Sequence, residues 1–148
     1  MKQKRLNELT ASFLINASHI AYLEAAEETL FMLECYSAFY RYIIRDLKYE
    51  TLFNELEMLK KFVTFLNTRY NGRIQTEVQA DSAFTSVFIE TTSVICFFDS
   101  LIHEIIENTD SKLKIFVSAN VDNNKVVLTV NMSCDGGEPI SYSKVLVE

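Results

Sequence analysis

The sequence predicts an α+β protein in which an N-terminal helical hairpin precedes a small two-layer α/β sandwich. Apolar residues recur at helical spacing over the first 50 residues, and alternating apolar and polar segments follow from Arg73 onward. The chain of 148 residues has only three glycines and one proline, which favours long helices and plain strands. We therefore place a hairpin dimerisation domain at residues 1–50 and an α/β domain at residues 51–148.

Both helices of the predicted hairpin carry apolar residues in steps of three and four, which is typical of a coiled-coil seam. The first seam consists of Leu6, Leu9, Phe13, Asn16, Ile20 and Leu23. The second helix extends to about Lys48, with a seam of Leu30, Leu33, Ser37, Tyr40, Ile44 and Leu47. Further apolar residues give this helix a second apolar face, so we expect a homodimer that forms a four-helix bundle. A buried Asn16 would fix the register and the number of helices.

The rest of the chain predicts one helix layer against a mostly antiparallel sheet. A third helix covers residues 51–70 and ends at Asn71-Gly72. The stretches "RIQTEVQA" and "SVFIE" are predicted strands, and residues 93–108 have helical spacing again. "KLKIFVSANVD" and "KVVLTVNMS" form a predicted hairpin through Asn123-Asn124, and a last strand follows a Gly-rich turn.

Composition excludes several classes of function. The net charge of −6 and the pI near 5.0 argue against a nucleic-acid partner. No apolar run is long enough to span a bilayer or to form a signal-peptide core, so we expect a soluble, cytoplasmic protein without a membrane partner. Cys35, Cys96 and Cys134 lie far apart, which predicts free, buried thiols rather than a disulfide framework or a zinc site.

Four stretches in order give the chain a family resemblance. Residues 11–16, "ASFLIN", are similar to the P-H-F-L-F-N motif of sensor histidine kinases of the autolysin-sensor (LytS-like) type. Residues 39–42, "FYRY", resemble the L-L-R-Y pattern that ends the family's second helix. Glu55-Leu56 matches an E-L pair, and residues 69–73, "RYNGR", resemble an R-F/Y-x-x-R ending. The resemblance implies a dimeric hairpin followed by a truncated ATP-binding domain of the GHKL type.

The resemblance also implies that the kinase chemistry is lost. It places the phosphoacceptor histidine at Ser12, whose unactivated hydroxyl cannot form a transferable phosphoramidate. The N-box L-V-E-N-A-I-x-H falls on residues 101–108, with His103 and Glu104 in place of its Glu and its Mg²⁺-binding Asn. The adenine-binding Asp falls on Met132, and a shifted alignment uses Asp135 and Gly136 instead. We therefore expect a degenerate nucleotide site that binds neither ATP nor Mg²⁺, and no other metal site.

The function predicted from this resemblance is protein–protein interaction in two-component signal transduction. The surface formed by Ser12, Phe13, Ile15, Asn16 and His19 is similar to the face that docks a response-regulator receiver domain. A chain with this surface and no acceptor would bind a response regulator or pair with a sensor kinase. The alternative is an enzyme similar to the sporulation-initiation phosphotransferase, relaying phosphate between response regulators through His19. A structural domain unrelated to signalling is a third reading.

Other chemistry-bearing residues have ordinary structural explanations. His103 is expected to be a partly buried histidine that pairs with a carboxylate. Asp135-Gly136-Gly137 is expected to form a surface turn rather than a nucleotide loop. Four carboxylates at near-helical spacing predict a solvated helix face rather than a divalent-metal site: Asp99, Glu104, Glu107 and Asp110. Four neighbouring aromatic residues predict core or dimer packing: Tyr36, Phe39, Tyr40 and Tyr42.

Overall fold

The protein is a mixed α+β structure with four helices and two sheets in the described part of the chain. The computed structural model describes residues 2–70 and 72–147, except for the side chains of Lys2 and Arg69. Asn71, to which we assigned part of a helix stop, lies outside the described residues. The chain divides into two compact units, Met1–Asp46 and Leu47–Glu148.

The first unit consists of two consecutive helices, α1 (Lys2–Leu23) and α2 (Glu27–Ile43). Ala25, with φ 55°, turns the chain between them, and the Ala26 N–H closes the last turn of α1 on the carbonyl of Ala21 at 2.9 Å. The Tyr40 hydroxyl, near the end of α2, donates to Asn7 Oδ1, near the start of α1, at 3.1 Å. The two helices therefore run antiparallel, and we call them the helix pair.

The predicted helices of this unit are confirmed, but the predicted end of α2 is wrong. α2 ends at Ile43 rather than near Lys48. The seam predicted for α1 does not face α2. The apolar residues of α1 that are buried are Leu14 and Ala21, at 6% and 4% exposure. Asn16 is exposed within the helix pair. The helical period thus located the helix, and the dimer in which the seam would pack stays a prediction.

The second unit places two helices on one face of a four-stranded sheet. Its elements are β1 (Tyr49–Thr51), α3 (Leu52–Arg69), β2 (Ile74–Val78), a 3₁₀ turn (Ser82–Ser86), β3 (Phe88–Glu90), α4 (Ser93–Glu107), β4 (Leu113–Asp122), β5 (Lys125–Cys134) and β6 (Ile140–Val147). The sheet order is β2-β4-β5-β6, with β2 parallel to β4 and the other pairs antiparallel. β1 and β3 form a separate two-stranded ribbon that was not fully predicted.

Local sequence explains where these elements begin and turn. The Thr51 hydroxyl accepts the Asn54 N–H at 3.2 Å and caps α3. Asn123 and Asn124 have φ of 45° and 67°, the conformation that a two-residue hairpin turn requires, so the predicted β4–β5 hairpin is confirmed. The strands predicted at β2, β3 and β6 and the helices predicted at α3 and α4 are also present.

The core of the second unit lies between the helices and the sheet. Phe62 of α3 meets Phe98 of α4 edge to face, with ring centroids 6.5 Å apart. Alternate residues of β4 and β5 point to the helices, with Val117 and Leu128 fully buried. The other faces of these strands are partly exposed, as expected for a two-layer sandwich.

Candidate functional site

The predicted docking positions all lie exposed on α1. Phe13 and Ile15 are 69% and 54% exposed, and Ser12, Asn16 and His19 are exposed as well. Ser12, Asn16 and His19 follow each other at spacings of four and three residues, so they share one stripe of the helix. α1 packs on α2 through Leu14, which lies on the side of the helix opposite Ser12 and Asn16.

An apolar surface of α1 overlaps these positions, and no described residue of the helix pair covers it. We call it the α1 stripe; it consists of Leu6, Leu9, Phe13, Asn16, Ile20 and Leu23. Its five apolar side chains are between 49% and 76% exposed. These side chains leave a contiguous apolar surface in contact with water along α1. A contiguous exposed apolar surface typically marks an interaction site.

A groove of about 410 Å³ runs between α1 and α2. Its polar lining consists of Ser18, His19, Glu34, Ser37 and Arg41. Its apolar lining consists of Ile15, Tyr22 and Leu30. We call it the helix-pair groove. His19, which the sequence singled out, lines it, and Ser37 and Arg41 come from the other helix.

Hydrogen bonds hold part of the groove's polar lining in place. The Ser18 hydroxyl donates to the Leu14 carbonyl at 2.8 Å, and Arg41 Nε donates to the Ser37 carbonyl at 3.3 Å. Ser37 is only 8% exposed, and its Oγ has no hydrogen-bond partner among the described residues. Ser37 was predicted only as a member of the α2 seam. A hydroxyl at a position that is otherwise apolar was the signal that could have pointed to this groove.

The positions of the predicted degenerate nucleotide site have different environments. His103 lies on the exposed side of α4, with its side chain 70% exposed and Nε2 3.2 Å from Glu107 Oε1. The predicted pairing with a carboxylate is confirmed, but the predicted partial burial is wrong, because the neighbouring Ile102 takes the buried side of the helix. Glu104 is exposed. Met132 is 4% exposed and belongs to the core side of β5.

Asp135 and Gly136 lie in the exposed turn between β5 and β6. Gly136 has φ 76°, and the Gly137 N–H donates to the Cys134 carbonyl at 3.1 Å. The prediction of a surface turn is confirmed. Gly136 is therefore explained by the left-handed backbone conformation, which glycine adopts without strain.

The carboxylates at near-helical spacing are solvated, and the cysteines are at most half-buried. The carboxylates predicted to form a solvated face on and after α4 are all exposed: Asp99, Glu104, Glu107 and Asp110. Within residues 2–70 and 72–147, no group of three or more His, Cys, Asp or Glu side chains is placed to hold a metal ion. Within the described residues Cys35, Cys96 and Cys134 form no disulfide, and the prediction that they are buried is wrong, since Cys96 is exposed and the other two are half-buried. Cys96 follows Ile95, which takes the core side of α4.

The aromatic residues of α2 pack as predicted. Phe39 and Tyr42 are buried, and Tyr36 and Tyr40 stack with ring centroids 6.3 Å apart. Arg45 lies over the Tyr42 ring at 4.2 Å. These contacts explain the aromatic cluster by packing.

A second groove, of about 380 Å³, lies on the sheet face that the helices leave uncovered. Gln75, Lys114 and Ser133 stand side by side in the register of β2, β4 and β5 and form part of its lining. Pro139 comes from the segment that precedes β6. The sequence did not predict this groove, because only the pairing of three separate segments brings its residues together.

The comparisons with protein families and with curated proteins identify no relative of the chain. No protein-family model matches the chain, and a search of curated proteins finds no match. Among the described residues, no helix has both the length and the hydropathy that a bilayer crossing requires.

Proposed function

We propose that the chain is a catalytically inactive relative of sensor histidine kinases that works by binding a response-regulator receiver domain or a sensor kinase in the cytoplasm. Its helix pair would be the kinase-like hairpin, joined with that of a second copy in a four-helix bundle. The second unit would be a shrunken ATP-binding domain. The order of helix pair, α3, β2, α4 and the β4–β5 hairpin supports this proposal.

The observation that carries the proposal is the exposed α1 stripe beside the docking positions. Its apolar side chains, from Leu6 to Leu23, are each about half exposed or more, and contiguous exposed apolar surface is typical of a protein interface. Phe13, at the centre of this surface, is large, aromatic and 69% exposed, which is typical of an anchor residue in an interface. A surface of this kind favours binding over a purely structural role.

The substituted positions support an inactive protein. Ser12 stands at the acceptor position and offers only a hydroxyl. His103 and Glu104 stand where the family places a Glu and a metal-binding Asn, and Met132 stands where it places an adenine-binding Asp. We therefore expect no change of the melting temperature when ATP and Mg²⁺ are added; a clear increase would contradict this part of the proposal.

Binding to receiver domains and to kinase cores from the source organism tests the function directly. The chain should bind at least one of them in sedimentation or calorimetry. Phe13→Asp should weaken that binding at least 10-fold, because a charge would replace an aromatic anchor that the complex buries. Phe88→Asp is the matched control, since Phe88 is a 62% exposed phenylalanine of the second unit. Absence of binding across both panels, or full binding by Phe13→Asp, would contradict the proposal.

The exposure of His19 supports one alternative, a histidine phosphotransferase. His19 lines the helix-pair groove and is exposed, so its imidazole is accessible to a phosphorylated aspartate. Incubation with phosphorylated response regulators separates the two functions. Acid-labile phosphate on the chain that disappears in His19→Ala would favour the transferase, whereas its absence favours the binding protein.

A further inference from the structure

The uncovered face of the four-stranded sheet carries a groove whose side chains come from three strands. We call it the sheet groove; its volume is about 380 Å³, within the range of about 300–1,000 Å³ that small-molecule sites occupy. Leu113, Ile115 and Val117 turn to the helices, so the residues between them face the groove. The side chains that line it from this face are Gln75, Glu77, Lys114, Phe116, Asn131 and Ser133.

The strand register sets three hydrogen-bond donors side by side in the sheet groove. Lys114 of β4 lies opposite Gln75 of β2 on one side and opposite Ser133 of β5 on the other. Adjacent strands are about 4.8 Å apart, so the ammonium, amide and hydroxyl groups of these residues can reach the same ligand group. An ammonium group flanked by two neutral donors suits a carboxylate, which only accepts hydrogen bonds. We call these three residues the donor row.

A second row, two residues further along β2 and β4, offers the opposite chemistry. Phe116 lies opposite Glu77 of β2 and opposite Asn131 of β5. The Glu77 carboxylate and the Asn131 carbonyl accept hydrogen bonds. The half-buried ring of Phe116 lies between them, and an aromatic ring attracts a cation over its face. These three residues, the acceptor row, therefore suit an ammonium group.

The two rows bring one positive and one negative charge into the same groove. Two residues of a strand span about 6.6 Å, so the rows lie about that far apart. Lys114 and Glu77 are both exposed, and no ion pair joins them in the part of the chain that the structure describes. We propose that the sheet groove binds a small zwitterion, an amino acid whose carboxylate contacts the donor row and whose ammonium group contacts the acceptor row.

The separation of the rows predicts the length of this ligand. In an α-amino acid a single carbon atom separates the carboxylate from the ammonium group, so the two charges lie closer together than the two rows. An ω-amino acid with several methylene groups reaches both rows and buries part of its chain against Phe116. The sheet groove belongs entirely to the second unit, whereas the proposed docking positions lie on α1, so the two sites can be tested separately.

Calorimetric titration of the full chain with a homologous series tests the ligand. The series is glycine, β-alanine, γ-aminobutyrate and δ-aminovalerate, and the dissociation constant should fall about 10-fold or more from the first to the last. Valerate and pentylamine each keep one charge of δ-aminovalerate and should bind about 10-fold more weakly, because each lacks one charge-assisted contact. Failure of δ-aminovalerate to bind, or equal binding of the singly charged compounds, would overturn the inference and leave the proposed function of α1 standing.

Two variants assign the rows to the two ends of the ligand. Lys114→Gln should weaken δ-aminovalerate about 10-fold and leave pentylamine unchanged, since pentylamine has no carboxylate. Glu77→Gln should weaken δ-aminovalerate by a similar factor and leave valerate unchanged. Lys125→Gln, at an exposed lysine of the same sheet outside the groove, is the matched control and should bind as the wild type does. Circular dichroism checks folding; wild-type binding by both folded groove variants, or an equal loss in Lys125→Gln, would overturn the inference.

Discussion

Glu55 offers a quantitative test of how the second unit is held together. Its side chain is completely buried on α3, and Oε1 accepts the Thr92 N–H at 2.8 Å. Thr92 precedes α4 with φ 67°, a left-handed conformation that is unfavourable for a β-branched residue. The Glu55 carboxyl group therefore stabilises a strained connection between β3 and α4.

The cost of Glu55→Ala follows from two losses. The Thr92 N–H, left in the interior without this acceptor, costs about 1–3 kcal/mol. The one methylene group removed from the core costs about 0.8 kcal/mol. We expect the free energy of unfolding to fall by about 2–4 kcal/mol, a large part of the roughly 5–15 kcal/mol that stabilises a typical domain.

Urea denaturation followed by far-ultraviolet circular dichroism measures this change, since the chain has no tryptophan. With a slope of about 1.5 kcal/mol per molar urea, the midpoint should fall by about 2 M. Glu55→Gln keeps an acceptor oxygen and should lose only about 1 kcal/mol. Glu57→Ala is the control on the same helix: it removes a 2.6 Å ion pair with the partly exposed Lys60, which contributes at most about 1 kcal/mol. If Glu55→Ala loses no more than Glu57→Ala, the hydrogen bond to Thr92 does not stabilise the connection as argued.

Three further predictions concern other local features. Asn67→Ala should lower stability by about 1–2 kcal/mol in urea denaturation, because Asn67 Oδ1 accepts the Ile74 N–H at 3.0 Å where β2 begins; an unchanged midpoint would contradict this role. Asn124→Gly should raise the melting temperature by a few degrees, since glycine adopts φ 67° without strain. A decrease would show that backbone strain at this position does not lower the stability of the protein. Cys96 is the exposed cysteine, so it should react fastest when the folded protein is treated with a disulfide reagent, and Cys96→Ser should remove the fast phase of that reaction. A fast phase that persists in Cys96→Ser would show that another thiol reacts first.

The sequence predicted the elements well where local pattern determines them. The helical period located α1, α3 and α4, and strict alternation with Asn123-Asn124 located the β4–β5 hairpin. These features depend on residues close in sequence. The end of α2 at Ile43 and the strand β1 were missed, because β1 exists only through pairing with β3, where Glu50 lies opposite Ile89.

The candidate site was predictable only in part. A repeat of threes and fours shows that a helix has an apolar face, but not what covers it; Leu14, outside the predicted seam, is the residue that packs inside the helix pair. His19 was identified from its residue type. Its association with Ser37 and Arg41 was not, because the residues come from two helices whose relative rotation is decided by packing. The correspondence of Ser12 with a lost phosphoacceptor stays a prediction.

The topology of the four-stranded sheet has a consequence for the order in which it assembles. β4 and β5 are joined by a two-residue turn and pair along ten residues, from Asp122 opposite Lys125 to Leu113 opposite Cys134, so closing this hairpin costs little chain entropy. β2 is parallel to β4, and Ile74 reaches Leu113 only after the chain has passed through β3 and α4. We expect the hairpin to form early and the β2–β4 pairing to limit the folding rate. Amide hydrogens of the β4–β5 ladder should then gain protection before those of β2 in pulse-labelled refolding, and the reverse order would refute this assembly sequence.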